Sequence, residues 1–217
     1  FSLIDRDPDI YGVVPGFEEG EPHADAVVAG NAVKALSAMG LHMPPPGWTP
    51  FPEFDDPHGV IADEVSRVLA HWYGKGSRAA GEHIVGLTVR CAVMGREPEW
   101  RADPPRVVPV RKWGNPAWFV MRRRRDGFGR WYEYETDGYD KRNKRPFKGA
   151  YRKFRLAEPL QVAVLGRLEW WMWREALSRV HASVANHLTA HRLTAFADLP
   201  PPWTDIHSNS QGIENAE

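Results

Sequence analysis

The dipeptide Asp126-Gly127 is the feature that most constrains how this chain folds. It separates two runs, 117–125 and 128–136, in which apolar or aromatic residues alternate with charged ones. Asp-Gly between two such runs is typical of a β-hairpin, and a loop of two or four residues gives the same register. That register pairs Phe119 with Tyr134, Met121 with Tyr132, and Arg123 with Arg130 on one face, and Trp118 with Glu135, Val120 with Glu133, and Arg122 with Trp131 on the other.

This register gives the two hairpin faces different roles. The first face is apolar until it nears the loop and is expected to join a core, whereas the second is a mixed aromatic and charged surface. Arg123 and Arg130 would repel each other when directly opposed, and an anion between them would remove that cost.

The rest of region 101–157 has short strand and turn patterns. Residues 107–110 predict an edge strand interrupted by Pro109, and Asp137-Gly138 predicts a second turn. Pro146 and Gly149 favour a loop over a helix in the basic segment that follows. We therefore predict a small antiparallel β-meander here.

Region 23–100 has the 3.6-residue period of helices instead. Apolar spacing predicts helices over 24–39, 60–73 and 77–94. The last two are joined by a Gly-containing turn, which is compatible with a helix-turn-helix and equally with any antiparallel helix pair. In the first interpretation Arg78, His83 and Arg90 would face a DNA groove.

Proline-rich and polar segments connect and flank these regions. The segment 41–59 is predicted to be an extended strap packed by Trp48, Phe51 and Phe54, with a docking peptide as the alternative. Residues 1–22 form an acidic arm, which is either simply solvated or a cover for the basic region.

The longest helical pattern lies in region 158–203. Apolar residues recur every three or four positions from Leu165 to Leu188, and Trp170, Trp171 and Trp173 widen the apolar face. The pattern predicts one helix over 158–196, roughly 60 Å long, with a break near Ser183 or Asn186 left open. A Pro-rich exit and a polar tail (204–217) follow. The expected class is α+β, with N-terminal helices, the meander and this long C-terminal helix.

The charges of the chain are unevenly distributed. Residues 101–155 carry 17 Lys and Arg against 6 Asp and Glu, whereas residues 1–100 carry 7 against 15. The neutral total is therefore a cancellation, and the basic segment predicts an anionic partner.

Basic and aromatic residues alternate within that segment in a way that favours nucleic acid. Lys and Arg neutralise phosphates, and exposed aromatic rings stack on bases. A hairpin with a basic tip also has the shape of the wing of a winged helix. The alternative is a small sheet whose outer residues are basic for solubility. The candidate contacts are Arg122, Arg123, Arg124, Arg125, Arg130, Trp131, Tyr139, Lys141, Arg142, Lys144, Arg145, Lys148, Arg152 and Lys153.

The sequence patterns for metal binding, phosphodiester cleavage and a reactive thiol are weaker. His187 and His191 have the i, i+4 spacing of helical metal ligands, but no third ligand is evident, and we predict no metal or cofactor. The acidic residues Glu133, Glu135, Asp137 and Asp140 would either hold Mg²⁺ in a nuclease or neutralise nearby arginines. Cys91, the single cysteine, is expected to be a buried, inert thiol.

Four stretches carry a resemblance to a known family: PAWF (116–119), DGFGR (126–130), ETDGYD (135–140) and RPFKGAYRK (145–153). They resemble an uncharacterised bacterial family of prophage- and mobile-element-like gene regions. The resemblance covers 106–203. It implies a phage or mobile-element regulator or a small accessory protein, and it assigns no catalytic residue.

These patterns predict a cytoplasmic, non-enzymatic DNA-binding protein with no membrane span, in which a regulatory role such as transcription control is expected. The phosphates would be contacted by the basic hairpin. The alternatives are an assembly protein that oligomerises through the Trp-rich helix at 160–196, and the Mg²⁺-dependent nuclease.

Overall fold

The helical periods of the sequence become four helices in the described part of the chain: α1 (Ala24–Ala35), α2 (Val60–Tyr73), α3 (Ser77–Met94) and α4 (Gln161–Val184). The computed structural model describes residues 4–7, 14–17, 22–38, 44, 48–74, 77–197 and 200–204. Most of the predicted acidic arm, and the tail from 205 onward, lie outside these residues. The predicted bounds of α2 and α3 are confirmed.

The described strands pair two by two in antiparallel hairpins, with one exception. The pair β3–β10 joins the two ends of the segment 107–156. The α+β class is confirmed, with strand pairs and a long C-terminal helix. The strands are β1 (Ile4–Asp7), β2 (Val14–Phe17), β3 (Val107–Pro109), β4 (Arg111–Lys112), β5 (Asn115–Pro116), β6 (Phe119–Arg125), β7 (Trp131–Asp137), β8 (Tyr139–Asp140), β9 (Arg145–Pro146) and β10 (Phe154–Leu156).

The chain divides into two compact units. Unit 1 comprises Phe1–Glu53, Val68–Ala102 and Ala163–Glu217, and unit 2 comprises Phe54–Arg67 and Asp103–Val162. The described elements of unit 1 are helices apart from β1 and β2, whereas the strands from β3 to β10 all belong to unit 2.

The core of unit 1 is built by the apolar faces of its helices. Leu36, Ile84, Leu168, Met172 and Ala176 form its fully buried centre, and Trp48, Leu69, Trp72 and Trp171 are among the side chains packed against it. Burying one such aliphatic side chain contributes roughly 1.5–3 kcal/mol. Phe51 is also buried, so the packing predicted for Trp48 and Phe51 is confirmed, while residues 41–43 and 45–47 of the predicted strap lie outside the described residues.

One buried cation interrupts this apolar interior. The Arg167 guanidinium forms an ion pair with Glu53 at 2.6 Å and donates to the carbonyl oxygens of Pro50 and Trp100. It also lies 4.6 Å from the ring centroid of Phe51 and 5.0 Å from that of Trp203. A buried guanidinium is tolerated here because its donors and its charge are both matched.

The helix α4 is shorter than predicted. It ends at Val184 instead of 196, so its 24 residues span about 36 Å. The chain turns there because the Val184 carbonyl accepts from the His187 amide (2.9 Å), while the His187 ring is bonded to the Ser183 carbonyl (2.9 Å). The break that the sequence left open near Ser183 is real, and residues 185–196 are not part of the helix.

The predicted register of the β6–β7 hairpin is wrong. The structure pairs Arg123 with Glu133, Arg124 with Tyr132, and Arg125 with Trp131. The Asp126 amide donates to the Arg130 carbonyl (2.9 Å), which leaves a three-residue loop, 127–129. Gly129 has φ 77°, the left-handed conformation that closes such loops. An odd loop length shifts the pairing by an odd number of residues and changes which side chains share a face.

Two further expectations for the hairpin fail with the register. Arg123 does not oppose Arg130, because its partner is Glu133. Neither face joins a core near the tip, since residues 121–125 and 131–135 are all exposed.

Candidate nucleic-acid interface

The β6–β7 hairpin is a ribbon that is exposed on both sides over its outer half. Five residues on each strand at about 3.4 Å per residue give an exposed length of roughly 17 Å. An isolated two-stranded ribbon is marginally stable in water, so contacts at its base are needed to stabilise it. There Val120 is buried, and Phe119 exchanges two backbone hydrogen bonds with Tyr151 at 2.9 and 2.8 Å.

Alternation along the ribbon sorts the charges onto two different faces. One face, here called the Tyr face, carries Arg122, Arg124, Tyr132 and Tyr134, which pair across the strands as Arg122–Tyr134 and Arg124–Tyr132. The other, the Glu face, carries Met121, Arg123, Arg125, Trp131, Glu133 and Glu135. Both carboxylates of the exposed ribbon therefore lie on one face, and the Tyr face has none.

The two arginines of the Glu face both have partners on that face. Arg123 donates to Glu133 at 2.7 Å, and Arg125 lies 4.7 Å from the ring centroid of Trp131. Glu135 accepts from Lys153 and from the Tyr151 hydroxyl, at 2.7 and 2.5 Å. The hydrogen bond from Lys153 is the main reason that the pKa of Glu135 is lowered.

The Tyr face presents cations and aromatic rings together. The Tyr132 and Tyr134 rings are neighbours, with centroids 6.0 Å apart, and both are partly open to solvent. The Arg122 guanidinium lies 5.0 Å from the ring centroid of Phe147. This contact brings the ribbon beside the basic segment at β9, because Arg145 and Lys148 flank Phe147 closely in the chain.

The turn between β8 and β9 holds further predicted contacts. Asp140 fixes it by accepting the backbone N–H groups of Arg142 (3.0 Å) and Asn143 (3.1 Å), and Lys144 has φ 51°. The predicted residues around this turn are all exposed: Tyr139, Lys141, Arg142, Lys144, Arg145 and Lys148.

Two predicted contacts are occupied by neighbours. Arg152 lies over the Trp118 ring, 4.6 Å from its centroid, and Lys153 is paired with Glu135 while lying 5.2 Å from the Phe119 centroid. The structure thus separates the fourteen predicted residues into an exposed group around the Tyr face and the β8–β9 turn and a group engaged within unit 2.

The acidic residues of the segment are engaged as well. Asp137 accepts from the Tyr139 amide (3.1 Å) and pairs with Lys112 (3.4 Å), and the Tyr139 hydrogen bond is the main cause of its lowered pKa. Glu133 and Glu135 are paired with Arg123 and Lys153, whereas Asp140 accepts backbone N–H groups, so each of these carboxylates has a local donor. Of the predicted pairing with arginines, the structure shows Glu133 with Arg123.

The described part of the chain brings one His and Asp group within metal-ligand distance, and it lies in unit 1. Atoms of His23, Asp25 and His191 fall within 4.8 Å of one another. Both oxygens of the Asp25 carboxylate already form hydrogen bonds, at 2.7–2.9 Å. Their partners are the Thr189 amide and hydroxyl, the amides of Ala190 and His191, and the His191 ring. A ligand role would require displacing these donors.

We therefore read this group as a clamp that fixes the segment 189–191 to the start of α1. His23 caps α1 by accepting the Asp25 amide at its Nδ1 (3.1 Å). The hydrogen bond from the Thr189 amide is the main cause of the lowered pKa of Asp25. The sequence instead predicted a helical pair of His187 and His191, and the two residues lie beyond the end of α4.

The predicted groove-facing residues of α3 also have partners within unit 1. His83 and Arg90 contact Glu169 of α4 at 3.0 and 3.4 Å, and the Arg78 side chain lies outside the described residues. Cys91 is a buried free thiol whose pKa is raised by burial, as expected for an inert position.

Comparisons with protein-family models, with curated proteins and with solved structures found no match to this chain. Among the helices of the described residues, none has the length and apolar character needed to cross a membrane.

Proposed function

We propose that this protein is a non-enzymatic DNA-binding protein that contacts phosphates through the Tyr face of the β6–β7 ribbon. The observation that carries the proposal is the sorting of charge: the ribbon places Glu133 and Glu135 on one face and pairs Arg122 and Arg124 across the strands with tyrosines on the other. Among the described residues, neither of these arginines forms an ion pair.

The electrostatics of unit 2 support a polyanionic partner. The unit carries 17 Lys and Arg against 11 Asp and Glu, a net charge of +6, and unit 1 carries 11 against 17, or −6. Each arginine that neutralises a phosphate releases condensed counterions, which supplies sequence-independent affinity. The exposed cations of the β8–β9 turn would extend the contact along the phosphate backbone.

The shape of the ribbon and its rings support nucleic acid over a simple acidic protein. A two-stranded β-ribbon fits the major groove of B-DNA, and Tyr132 and Tyr134 offer rings beside the cations. The resemblance of 106–203 to a prophage-associated family favours a regulator of a phage or mobile element as the biological setting.

Assembly through α4 has less support. Trp170 is buried and donates to Glu97 at 3.0 Å, and its ring packs edge-on against Trp203 with centroids 5.2 Å apart. Met172 and Trp171 belong to the core cluster of unit 1. These side chains are used within the chain, so the apolar face of α4 has a partner already.

The proposal is tested by two double variants that remove the same charge from opposite faces. Arg122→Ala with Arg124→Ala clears the Tyr face, and Arg123→Ala with Arg125→Ala is the matched control on the Glu face. Fluorescence anisotropy with a labelled duplex should show a loss of roughly tenfold or more for the first pair and a much smaller loss for the second. Equal losses, or none, would contradict the face assignment.

A further inference from the structure

The tip of the ribbon exposes an aromatic side chain almost completely. Phe128 is 92% exposed, and it lies between Gly127 and Gly129, which have no side chains to cover its ring. Burying a phenylalanine ring is favourable, and at this position the folded chain forgoes that gain. The ring is therefore available to a partner.

Hydrogen bonds hold the loop backbone that carries this ring in one conformation. The Asp126 carboxylate accepts the amide N–H groups of Phe128 (2.9 Å) and Arg130 (2.8 Å). The Gly129 amide donates to the Asp126 carbonyl at 3.1 Å, and Gly129 adopts φ 77°. Because the backbone is already ordered, inserting the ring into a partner costs little further backbone entropy.

The surroundings of the ring are cationic. Arg124 and Arg125 precede the loop, Arg130 follows it, and all three are exposed. The acidic residue next to the loop is Asp126, whose Oδ1 is occupied by the two amide N–H donors. An apolar tip flanked by arginines is complementary to an anionic polymer with an apolar interior, which describes stacked base pairs between phosphates.

We propose that Phe128 is a wedge that inserts between adjacent base pairs of duplex DNA, unstacking them and bending the duplex. This inference rests on the proposed function and specifies its substrate as deformable double-stranded DNA. Proteins that insert apolar side chains between base steps kink the duplex, and the unstacking is offset by the additional contacts that the bend allows. Arg124 and Arg130 would hold the phosphates on either side of the opened step.

An anionic lipid surface is the competing partner for an aromatic tip flanked by arginines. The loop offers it a single apolar side chain, whereas membrane binding strengthens with the apolar area that is buried. The observations therefore favour duplex DNA, and lipid binding becomes an outcome of the test.

The test compares Phe128→Ala with Trp113→Ala, a matched control. Trp113 is 91% exposed and also occupies a hairpin turn of unit 2, so both variants remove an exposed ring and neither removes core packing. Far-UV circular dichroism should be the same for both variants and the wild type. Binding by anisotropy, bending by energy transfer between the duplex ends, and unstacking by 2-aminopurine fluorescence are measured on the same duplexes.

We expect wild type and Trp113→Ala to bend the duplex and raise the 2-aminopurine signal. Phe128→Ala should still bind, with affinity reduced severalfold, but should lose both signals. Bending by Phe128→Ala equal to wild type, or wild-type binding without unstacking, would overturn the wedge while leaving phosphate binding intact. Absence of any wild-type DNA binding would overturn the proposed function itself. Phe128-dependent binding to phosphatidylserine vesicles with no DNA distortion would assign the tip to a membrane.

Discussion

At the scale of single residues, Arg167 is the side chain whose environment most departs from the rule that charges stay in water. It is 1% exposed, and its partner Glu53 is 3% exposed at the side chain. The sequence did not single it out, because an arginine on a helix is ordinarily solvated and the aromatic rings that enclose it come from positions 51 and 203. Such a site depends on contacts between distant parts of the chain.

We predict that Arg167→Met destabilises the protein by about 3–5 kcal/mol, because it removes the cation that neutralises a buried carboxylate. Urea unfolding followed by tryptophan fluorescence measures the change. Adding Glu53→Gln to the same chain should recover part of the loss, since the uncompensated charge is then gone. A single variant as stable as wild type would show that the buried pair contributes nothing.

Asp25 predicts a pH dependence of a definite sign. Its pKa is lower in the folded chain than in the unfolded one. The ionised carboxylate therefore contributes its full share to the free energy of unfolding above the unfolded pKa, near 3.9. That share is lost as the pH falls below this value. Asp25→Asn places an amide NH₂ among the amide donors of 189–191 and removes this contribution at neutral pH.

The gap in unfolding free energy between wild type and Asp25→Asn should therefore be widest at neutral pH and should narrow between about pH 5 and about pH 2. The exposed residue Asp103 supplies the control, since Asp103→Asn should follow the wild-type pH profile. A gap that stays constant across this range would show that the Asp25 carboxylate does not hold the segment 189–191 through its charge.

At the scale of elements, the sequence predicted the existence of each helix and of the β6–β7 hairpin. It failed on the hairpin register and on the C-terminal ends of α1, which ends at Ala35 instead of 39, and of α4. Asp126-Gly127 correctly located the turn, but Gly129 in a left-handed conformation made the loop odd in length. The end of α4 is followed by a segment that is held by Asp25, which lies 164 residues away from Thr189. The hydrophobic periodicity that predicts a helix or a strand contains no information about the conformation of Gly129 or about the contact with Asp25.

The backbone at Gly138, which follows β7, lies very close to the backbone of Phe119 in β6. A Cβ atom at this position would lie 2.7–2.8 Å from backbone atoms of Phe119, whereas one at Gly127 would meet nothing within 4 Å. We predict that Gly138→Ala destabilises unit 2 by about 1–3 kcal/mol through overpacking and that Gly127→Ala, its control, is nearly neutral. Thermal unfolding of the two variants makes the comparison, and similar melting curves would contradict this close approach.

At the scale of the whole molecule, the neutral composition conceals two units of opposite charge. The basic segment predicted from the sequence falls almost entirely in unit 2, so the charge asymmetry of the chain became an asymmetry between units. The sequence could predict that cations are concentrated, because that follows from counting. It could not predict that alternation in the correct register would leave Arg122 and Arg124 on a face free of carboxylates.

The salt dependence of DNA binding tests the central claim most directly. The logarithm of the association constant should fall linearly with the logarithm of salt concentration, with a slope of about −0.9 for each phosphate neutralised. Replacing Arg122 and Arg124 by alanine should make the slope shallower by about 1.8, and replacing Arg123 and Arg125 should change it far less. Wild-type binding that does not respond to salt, or an unchanged slope after loss of the two Tyr-face arginines, would contradict the account.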